Sequence, residues 1–397
     1  SLIGDLSGQI NALDLGARRL AELLGEFSAA TLTTVFAELQ QRAAQLMRAN
    51  IAELPDGKFS VDDWLDNDGV VDEPLKIALD LTINGDVMSL DFSRSSPACA
   101  GPVNISRSTA IASVYVAIKH IFIDVPANAG VLEPINIIIP DGTLLSVTAP
   151  KPVGGYTETI LRVIDNVHRA IAEVAPERSN ACAYGTINAL SLAGHRSDGR
   201  RWVMFSFFGG GHGGHPEGDG LNHGNAPIST ATIPPAEILE AAYPVFFKQW
   251  ALRPDSGGVG HNRGGLGAIY EIELLEQDAD VFLFGERGRF DPPGVVAGGA
   301  GAGNRFYYQQ VDGMHSPAMG SKMVGVKLLR GQHLRLETPG GGGYGQALDR
   351  EPERVAEDVR LGYVSVAAAK ADYAVIVAAD GTLDQAATAA CRKDAKA

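Results

Sequence analysis

Cysteine is scarce in this chain. Its three cysteines in 397 residues, Cys99, Cys182 and Cys391, lie far apart and form no CxxC pair. That disfavours a disulfide framework and a cysteine-rich zinc site, and it fits a reducing, cytoplasmic compartment. Apolar runs are short as well, none approaching the length that spans a bilayer, so no membrane role is expected. The opening, Ser1-Leu-Ile-Gly-Asp5, has neither an initiator methionine nor the features of a signal peptide. Basic residues are in deficit. Against 47 Asp and Glu stand 33 Lys and Arg, a formal net charge of −14, which argues against nucleic acid or an anionic membrane surface as partner. Three catalytic motifs are also missing. There is no GxxxxGK[ST] phosphate loop, no helix-borne HExxH and no GxSxG elbow; Asp255-Ser256-Gly257 lacks the preceding glycine.

Glycine, by contrast, is plentiful: 47 residues, arriving in bursts over 209–220, 255–267 and 338–345. Glycine serves where φ is positive or where backbone approaches something closely. Runs this dense disfavour helix and weaken strands, so they predict irregular loops, the places on a scaffold where binding and catalysis tend to sit. Tight turns between strands are the plain alternative. A further string, 298–303, has the look of a dinucleotide fingerprint. It fails on context, because 305–310 reads as a strand and no helix N-terminus follows to receive a pyrophosphate.

The length suits roughly two to three domains. Leu13, Ala17, Leu20 and Leu24 recur at helical spacing, with Gly25 placed to end that helix; Leu32, Val35, Phe36, Leu39, Ala43, Leu46 and Met47 mark a second helix. Alternating apolar residues from Leu75 to Ile83 and from Met88 to Phe92, around Asn84-Gly85, predict a β-hairpin. Helices are expected over 107–122, 157–174, 235–243 and 350–361. Strands are expected over 131–139, 201–208, 267–275, 281–284, 305–310, 334–337 and 373–377, with a frayed tail over 392–397. The pattern predicts a mixed α/β (α+β) fold in four parts: a helical start over 1–57 continuing a domain begun upstream, a mixed α/β domain over 58–200, a β-rich glycine-loop region over 201–347 and a C-terminal helix, short strand and tail over 348–397.

Candidate chemistry is thinner. His212-x-x-His215, with Glu217, Asp219 and His223 nearby, offers ligand types that zinc and manganese accept. A glycine loop does not preorganise them as a helix does, so hydrogen bonding or substrate contact is the favoured role and no metal site is assigned to this chain. The carboxylates of Asp62-Asp63 and of Asp66 through Asp72 read as a solvated face. Arg253, Asp255 and Arg263 bracket the second burst, where an ion pair pinning the loop is at least as well supported as a catalytic arginine.

The order of the motifs is more specific. Gly4-Asp-Leu-Ser-Gly-Gln-Ile10, Gly16-Ala-Arg-Arg-Leu20, Leu54-Pro-Asp-Gly57, Gly101-Pro-Val-Asn104 and Val153-Gly-Gly-Tyr-Thr-Glu-Thr159 come first. Tyr243-Pro244, Leu252-Arg-Pro-Asp-Ser-Gly-Gly258, Arg263-Gly-Gly-Leu-Gly267 and Glu337-Thr-Pro-Gly-Gly-Gly-Gly-Tyr-Gly345 follow. Together these resemble the hydantoinase B/oxoprolinase family over nearly the whole chain.

The resemblance implies the B-type subunit of an ATP-dependent cyclic amide hydrolase, of the N-methylhydantoinase or caprolactamase kind, paired with an A-type nucleotide-binding partner that carries ATP and Mg. A ketone carboxylase subunit of the acetone or acetophenone type, or a non-catalytic assembly chain, are the alternatives. It further implies a divalent metal, Zn or Mn, held in an upstream B region on a separate chain or segment. Oxoprolinase-type members carry His-Thr-His-Met where this chain reads Leu221-Asn-His-Gly-Asn-Ala-Pro-Ile-Ser229, which points away from 5-oxoprolinase. On this reading Asp5, Glu158 and His212 are catalytic, while Gln9 and Asn104 hold substrate. Helix capping (Asp5, Gln9), a turn (Asn104) and helix-dipole complementarity (Glu158) are the purely structural alternatives.

Overall fold

In a computed structural model, which describes residues 2–229, 232 and 234–395, the chain opens with helices α1 (Leu2–Glu26) and α2 (Ala29–Ala52). Gly25 lies inside the last turn of α1, and Ser28 caps α2, its hydroxyl accepting from the Thr31 amide at 3.1 Å. The two helices differ sharply. Leu32, Ala43, Met47 and Ile51 of α2 are buried, whereas α1 buries no residue at all.

Strands β1 (Gly57–Leu65), β2 (Leu75–Asn84) and β3 (Val87–Asp91) run antiparallel. Asn84 pairs with Val87, so the two-residue loop is Gly85-Asp86, one position beyond the expected turn, and Gly85 takes the φ of +60° that a type II′ hairpin asks of its first residue. Helix α3 (Arg107–Ile121) follows. The strand expected from 131 is shorter than predicted: residues 129–132 form a 3-10 turn capped by Asn128, and β4 (Ile135–Ile138) then lies parallel to β3. With α4 (Tyr156–Ala172), these elements close one core around Met47, Leu79, Leu90, Val114 and Val167. Helix α2 therefore belongs to the mixed unit and not to a separate helical start.

Strand β5 (Ala189–His195) pairs with β6 (Arg201–Phe207), so the boundary expected at 200/201 would cut through a sheet. Next come α5 (Ala236–Ala242), β7 (Val245–Leu252), β8 (Ala268–Leu274), β9 (Asp278–Phe284), β10 (Arg305–Gln310), β11 (Gly313–His315), β12 (Lys322–Leu329) and β13 (His333–Glu337). Two sheets, in the orders β12-β9-β5-β6 and β11-β10-β13-β8-β7, share a second core that includes Met204, Tyr270, Val281 and Leu336. Helices α6 (Pro352–Arg360), α7 (Val366–Tyr373) and α8 (Gln385–Ala395) carry a third, smaller core. The strand expected over 373–377 reduces to a single Val377–Leu383 bridge, since Tyr373 ends α7 and Ala374 turns the chain at φ +52°. The expected fraying is replaced by helix through Ala395; positions 396 and 397 lie outside the described residues. The fold is α+β, and no single helix among the described residues is long and apolar enough to cross a membrane.

The glycine bursts turn out to be one object. Apart from Gly345, none of their glycines has a positive φ; they are needed for close approach. A Cβ on Gly264 would lie 1.9 Å from the Gly341 carbonyl oxygen, one on Gly341 2.0 Å from that of His212, and one on Gly211 1.8 Å from that of Gly265. Main-chain hydrogen bonds link them: Gly265 N to His212 O at 2.7 Å, Gly341 N to Gly265 O at 2.9 Å, Gly214 N to Gly342 O at 2.8 Å and Gly258 N to Gly341 O at 2.8 Å. The string 298–303 joins through Gly299 N to Val259 O at 2.7 Å. Extended segments thus pack main chain against main chain, as glycine permits at the axis of collagen, and the irregular loops expected from composition are the interior of a bundle.

A candidate active cleft beside a buried ion network

Helix α4 is buried on nearly every side. One face, with Ile160, Val163 and Val167, enters the first core. Glu158, Arg162 and Asp165 follow one another at i, i+4 and i+7, which sets them on one face of the helix. They meet charges from β1, from the loop after β9 and from β12. Arg287 donates to Asp63 at 2.9 and 3.0 Å and to Asp165 at 2.9 Å. Arg162 donates to the Gly185 carbonyl at 2.6 Å, and Lys322 pairs with Glu286. Gly185 is obligatory here: its φ is +64°, and a Cβ would sit 2.6 Å from Arg162 Nη1 and 2.8 Å from Arg287 Nε.

Five buried carboxyls, Asp63, Asp66, Glu158, Asp165 and Glu286, face three buried cations, Arg162, Arg287 and Lys322. Such an excess of buried carboxyls favours their neutral forms. Burial and the neighbouring Glu286 push Glu158 up to about 7, against the Ile187 amide, the Thr186 hydroxyl and Lys322. Burial likewise raises Glu286 and Asp165. Burial would raise Asp63 too, yet Arg287 and Arg162 outweigh it and hold that carboxyl below its usual range. Glu158 Oε1 accepts from the Ile187 amide at 3.1 Å, while Oε2 and the Tyr184 hydroxyl have no hydrogen-bond partner among the described residues.

Asp165 also reaches a cleft of about 470 Å³ between α3, α4 and the glycine bundle. Lys119, His120, Asp165, His168, Asn180, His212 and His215 line it. Lys119 closes the end of α3, donating to the Phe122 carbonyl at 2.9 Å and to that of Val125. The His120 and His168 rings lie 5.8 Å apart. Burial and, secondarily, His120 push His168 down to about 3, so its imidazole is neutral at physiological pH. His212 donates from Nε2 to the Asn225 carbonyl at 2.5 Å, which fixes the neutral tautomer and leaves Nδ1 as the acceptor. Burial holds this imidazole below its ordinary value, with the Asn225 carbonyl opposing.

The five sequence-predicted site residues part company. His212 lines the cleft. Glu158 stands in the ion network behind it and Asn104 in neither. Asn104 is fully committed to its own loop: its amide donates to the carbonyls of Cys99, Gly101 and Pro152 at 3.2, 2.9 and 3.1 Å, and Oδ1 accepts from the Cys99 amide at 2.9 Å. It staples a turn and has no group left for a substrate amide. Asp5 and Gln9 are exposed on α1, on the helix that buries nothing, so the structure does not bring them to the others.

Other expectations are corrected in the same way. Asp63, Asp66 and Asp68 are buried, not solvated; Asp68 alone accepts from the amides of Val70, Val71, Ala100 and Gly101. Ion pairs do pin the second burst, though through other acids: Arg253 reaches Glu337 and Arg263 reaches Asp358, each at 3.6 Å, while Asp255 accepts from the amide of Ser365, the residue that caps α7. The histidine loop disperses as well. Asp219 binds Arg350 at 2.6 Å, and His223 packs edge-on to Trp250 and hydrogen-bonds the Tyr270 hydroxyl. Among the described residues no three His, Cys, Asp or Glu side chains could hold a metal ion. Lys119, His120 and His168 were missed in the sequence. His168 sits in an apolar helical stripe, and only the charged residues spaced at 158, 162 and 165 signalled that α4 has a polar buried face.

Comparisons with known proteins agree with this geometry. The family model described as hydantoinase B/oxoprolinase matches residues 1–347. The B-type chain of a putative D-/L-hydantoinase from Pseudomonas sp. (strain NS671) is 27% identical over 99% of this chain and 68% of its own length. The beta chain of the Pseudomonas jessenii caprolactamase is 32% identical over 98% and 68%. The crystal structure of the ATP-dependent caprolactamase from that organism superposes with a TM-score of 0.85 at 29% identity, covering 98% of this chain and 69% of the other. An acetone carboxylase shares the fold, with a TM-score of 0.81 at 22% identity over 95% and 57%. The chain thus spans about two thirds of the hydantoinase and caprolactamase relatives, and about a quarter of a 5-oxoprolinase from Arabidopsis thaliana. With matched residues running from the first helix to the end of the glycine bundle, the chain belongs to the hydantoinase B/oxoprolinase family.

Proposed function

We propose that this chain is the B-type subunit of an ATP-dependent cyclic amide hydrolase acting on a hydantoin or lactam, with ATP and Mg bound on an A-type partner. The observation that carries this reading is the overlap of 98% of the chain with a caprolactamase structure at a TM-score of 0.85. The hydantoinase and caprolactamase relatives are each named as one subunit of a larger enzyme, which supports a partner chain.

The chemistry asks for one thing from this chain. Amide resonance deactivates a ring carbonyl, and phosphoryl transfer from ATP to its oxygen relieves that. Water adding to the ring carbon must then lose a proton, the ring nitrogen must gain one as the C–N bond breaks, and a second water releases phosphate. His212 is suited to take the first proton: it is neutral, its tautomer is fixed and its acceptor nitrogen has no hydrogen-bond partner among the described residues. Arg287 fixes Asp165 in the cleft wall, and Glu158, which accepts from the Ile187 amide behind that network, is a positioning residue. Among the described residues no group of His, Cys, Asp or Glu side chains fits the divalent metal that the family implies.

The test is reconstitution of the chain with its A-type partner and any chain supplying the remaining length. ATP-dependent ring opening of hydantoins, ε-caprolactam and 5-oxoproline is followed alongside incorporation of labelled bicarbonate into acetone or acetophenone. Ring opening coupled to ADP release is expected. Bicarbonate incorporation without ring opening would establish a carboxylase instead, and ATP turnover insensitive to this chain would leave it an assembly subunit.

A further inference from the structure

His168 lines the cleft without a part in the chemistry proposed so far. It follows Asp165 by three residues on α4, hence on the same face of the helix, and is only 6% exposed. A polar side chain this deeply buried needs partners, and those it has fix its protons. The Ser179 hydroxyl, itself buried, donates to the His168 carbonyl at 2.6 Å, with the Asn180 carbonyl a longer alternative at 3.4 Å. Its one proton is thus spent on main chain. The same oxygen lies 3.5 Å from His168 Nδ1, and in that contact it can only accept. Nδ1 is therefore the protonated nitrogen, and Nε2 carries a lone pair. Nε2 has no hydrogen-bond partner among the described residues, and the His120 ring, 5.8 Å away, does not supply one. Burial, with His120 opposing a second charge, keeps Nε2 unprotonated at physiological pH.

The cleft thus holds two neutral imidazole acceptors, His168 Nε2 on the helical wall and His212 Nδ1 on the glycine bundle. A ligand between them must bring a donor to each. On the reading proposed above, the attacking water is the donor at His212. The amide to be opened supplies the other donor, its own N–H. That N–H lies in the plane of the carbonyl, so accepting from it leaves the faces of the ring carbon open to water. No proton passes through His168, because Nε2 has none to give. The proton that the ring nitrogen gains as the C–N bond breaks comes from the His212 side, where it left the attacking water.

We propose that His168 is a substrate-binding residue whose Nε2 accepts the N–H of the amide to be opened, so that the cleft selects cyclic amides unsubstituted at that nitrogen. The inference rests on the cyclic amide reading above and assigns it a specificity-determining residue. Phosphoryl activation at the carbonyl oxygen is open to N–H and N-alkyl amides alike, so this selection is a property of the cleft and not of the chemistry.

The test uses the reconstituted enzyme. Each ring it opens is compared with the analogue methylated at the nitrogen of the broken bond, ε-caprolactam with N-methyl-ε-caprolactam among them, in the parent and in His168→Phe. That variant keeps an aromatic ring and the main-chain carbonyl that Ser179 binds, but it has no acceptor. In the parent, kcat/KM is expected to favour the N–H ring by about 10–100-fold, the range for leaving a buried acceptor unpaired. In His168→Phe the preference should disappear. Equal turnover of the two rings by the parent would overturn the inference, and this comparison decides the matter even where the variant does not fold. A preference that survives in His168→Phe would trace it to the shape of the cleft and overturn the inference as well. An enzyme that opens neither ring would instead overturn the proposed function, and this inference with it.

Discussion

Glu158 makes the folded chain sensitive to pH in a defined direction. Its ordinary value is 4.5 and its buried value about 7. Between those two, the folded state keeps a proton that the unfolded state has released, so stability falls as pH rises through this window and the loss is complete above it. At about 1.4 kcal/mol per unit, the loss is on the order of 3 kcal/mol. Glu158→Gln keeps an acceptor for the Ile187 amide and cannot ionise. Denaturant midpoints should match the parent near pH 4 and exceed it near pH 8; parallel profiles would show that Glu158 is not protonated by burial. His212 belongs to the cleft and answers to kinetics. His212→Ala should lower kcat of ring opening by about 10²–10⁴-fold while costing about 1 kcal/mol of stability for the lost bond to Asn225. The acidic limb of the parent kcat/KM profile should lie below 6.5, the ordinary imidazole value, and vanish in the variant. His212 was visible in the sequence because it interrupts a glycine run. The ion network was not: Arg287 stands 224 positions from Asp63, and no local pattern tells a buried carboxylate from a solvated one.

At the scale of elements, periodicity located the helices of the first half and most of the strands. It missed β1, β5, β7, β11 and β12. Strand β1 carries Asp62 and Asp63 within its apolar alternation, and β12 contains a bulge between Met323 and Val326 that breaks the repeat. The glycine bursts were seen but misread, because composition says that a Cβ is unwelcome without saying why. Two substitutions separate the reasons. Gly341→Ala drives a Cβ to 2.0 Å from the His212 carbonyl oxygen and 2.2 Å from its carbon, and should destabilise by at least about 3 kcal/mol, the upper end of overpacking penalties. Gly8→Ala meets nothing within 4 Å in a helix and should strengthen α1 by about 1 kcal/mol. Thermal unfolding of the first and helical content of the second would check the contrast; equal tolerance at both positions would deny that the bursts form a packed bundle.

For the whole molecule, Arg287 ties the parts together. Emerging after β9 of the sandwich, it grips Asp63 of β1 and Asp165 of α4 from the mixed unit, all of them out of water. Arg287→Met would strand two buried carboxyls and should cost about 3–5 kcal/mol near neutral pH. The deficit should shrink below about pH 5 as those carboxyls take up protons; a deficit independent of pH would mean that packing, not charge, joins the two units. Family membership was legible in the ordered motifs, whereas the cleft was not, since its walls come from segments around 119, 168 and 212 that only the fold brings together.

Those two walls differ in kind. The His212 wall rests on the main-chain contacts of the glycine bundle, and His212, His215, Leu221 and Pro227 supply its side chains. The facing wall, from α3 and α4, is made of side chains: Lys119, His120, Ile123 and Ile164. Retuning of this cleft from one ring to another disturbs the glycine bundle least on the helical side, and a library that varies only those four positions should change substrate preference while leaving the reaction intact.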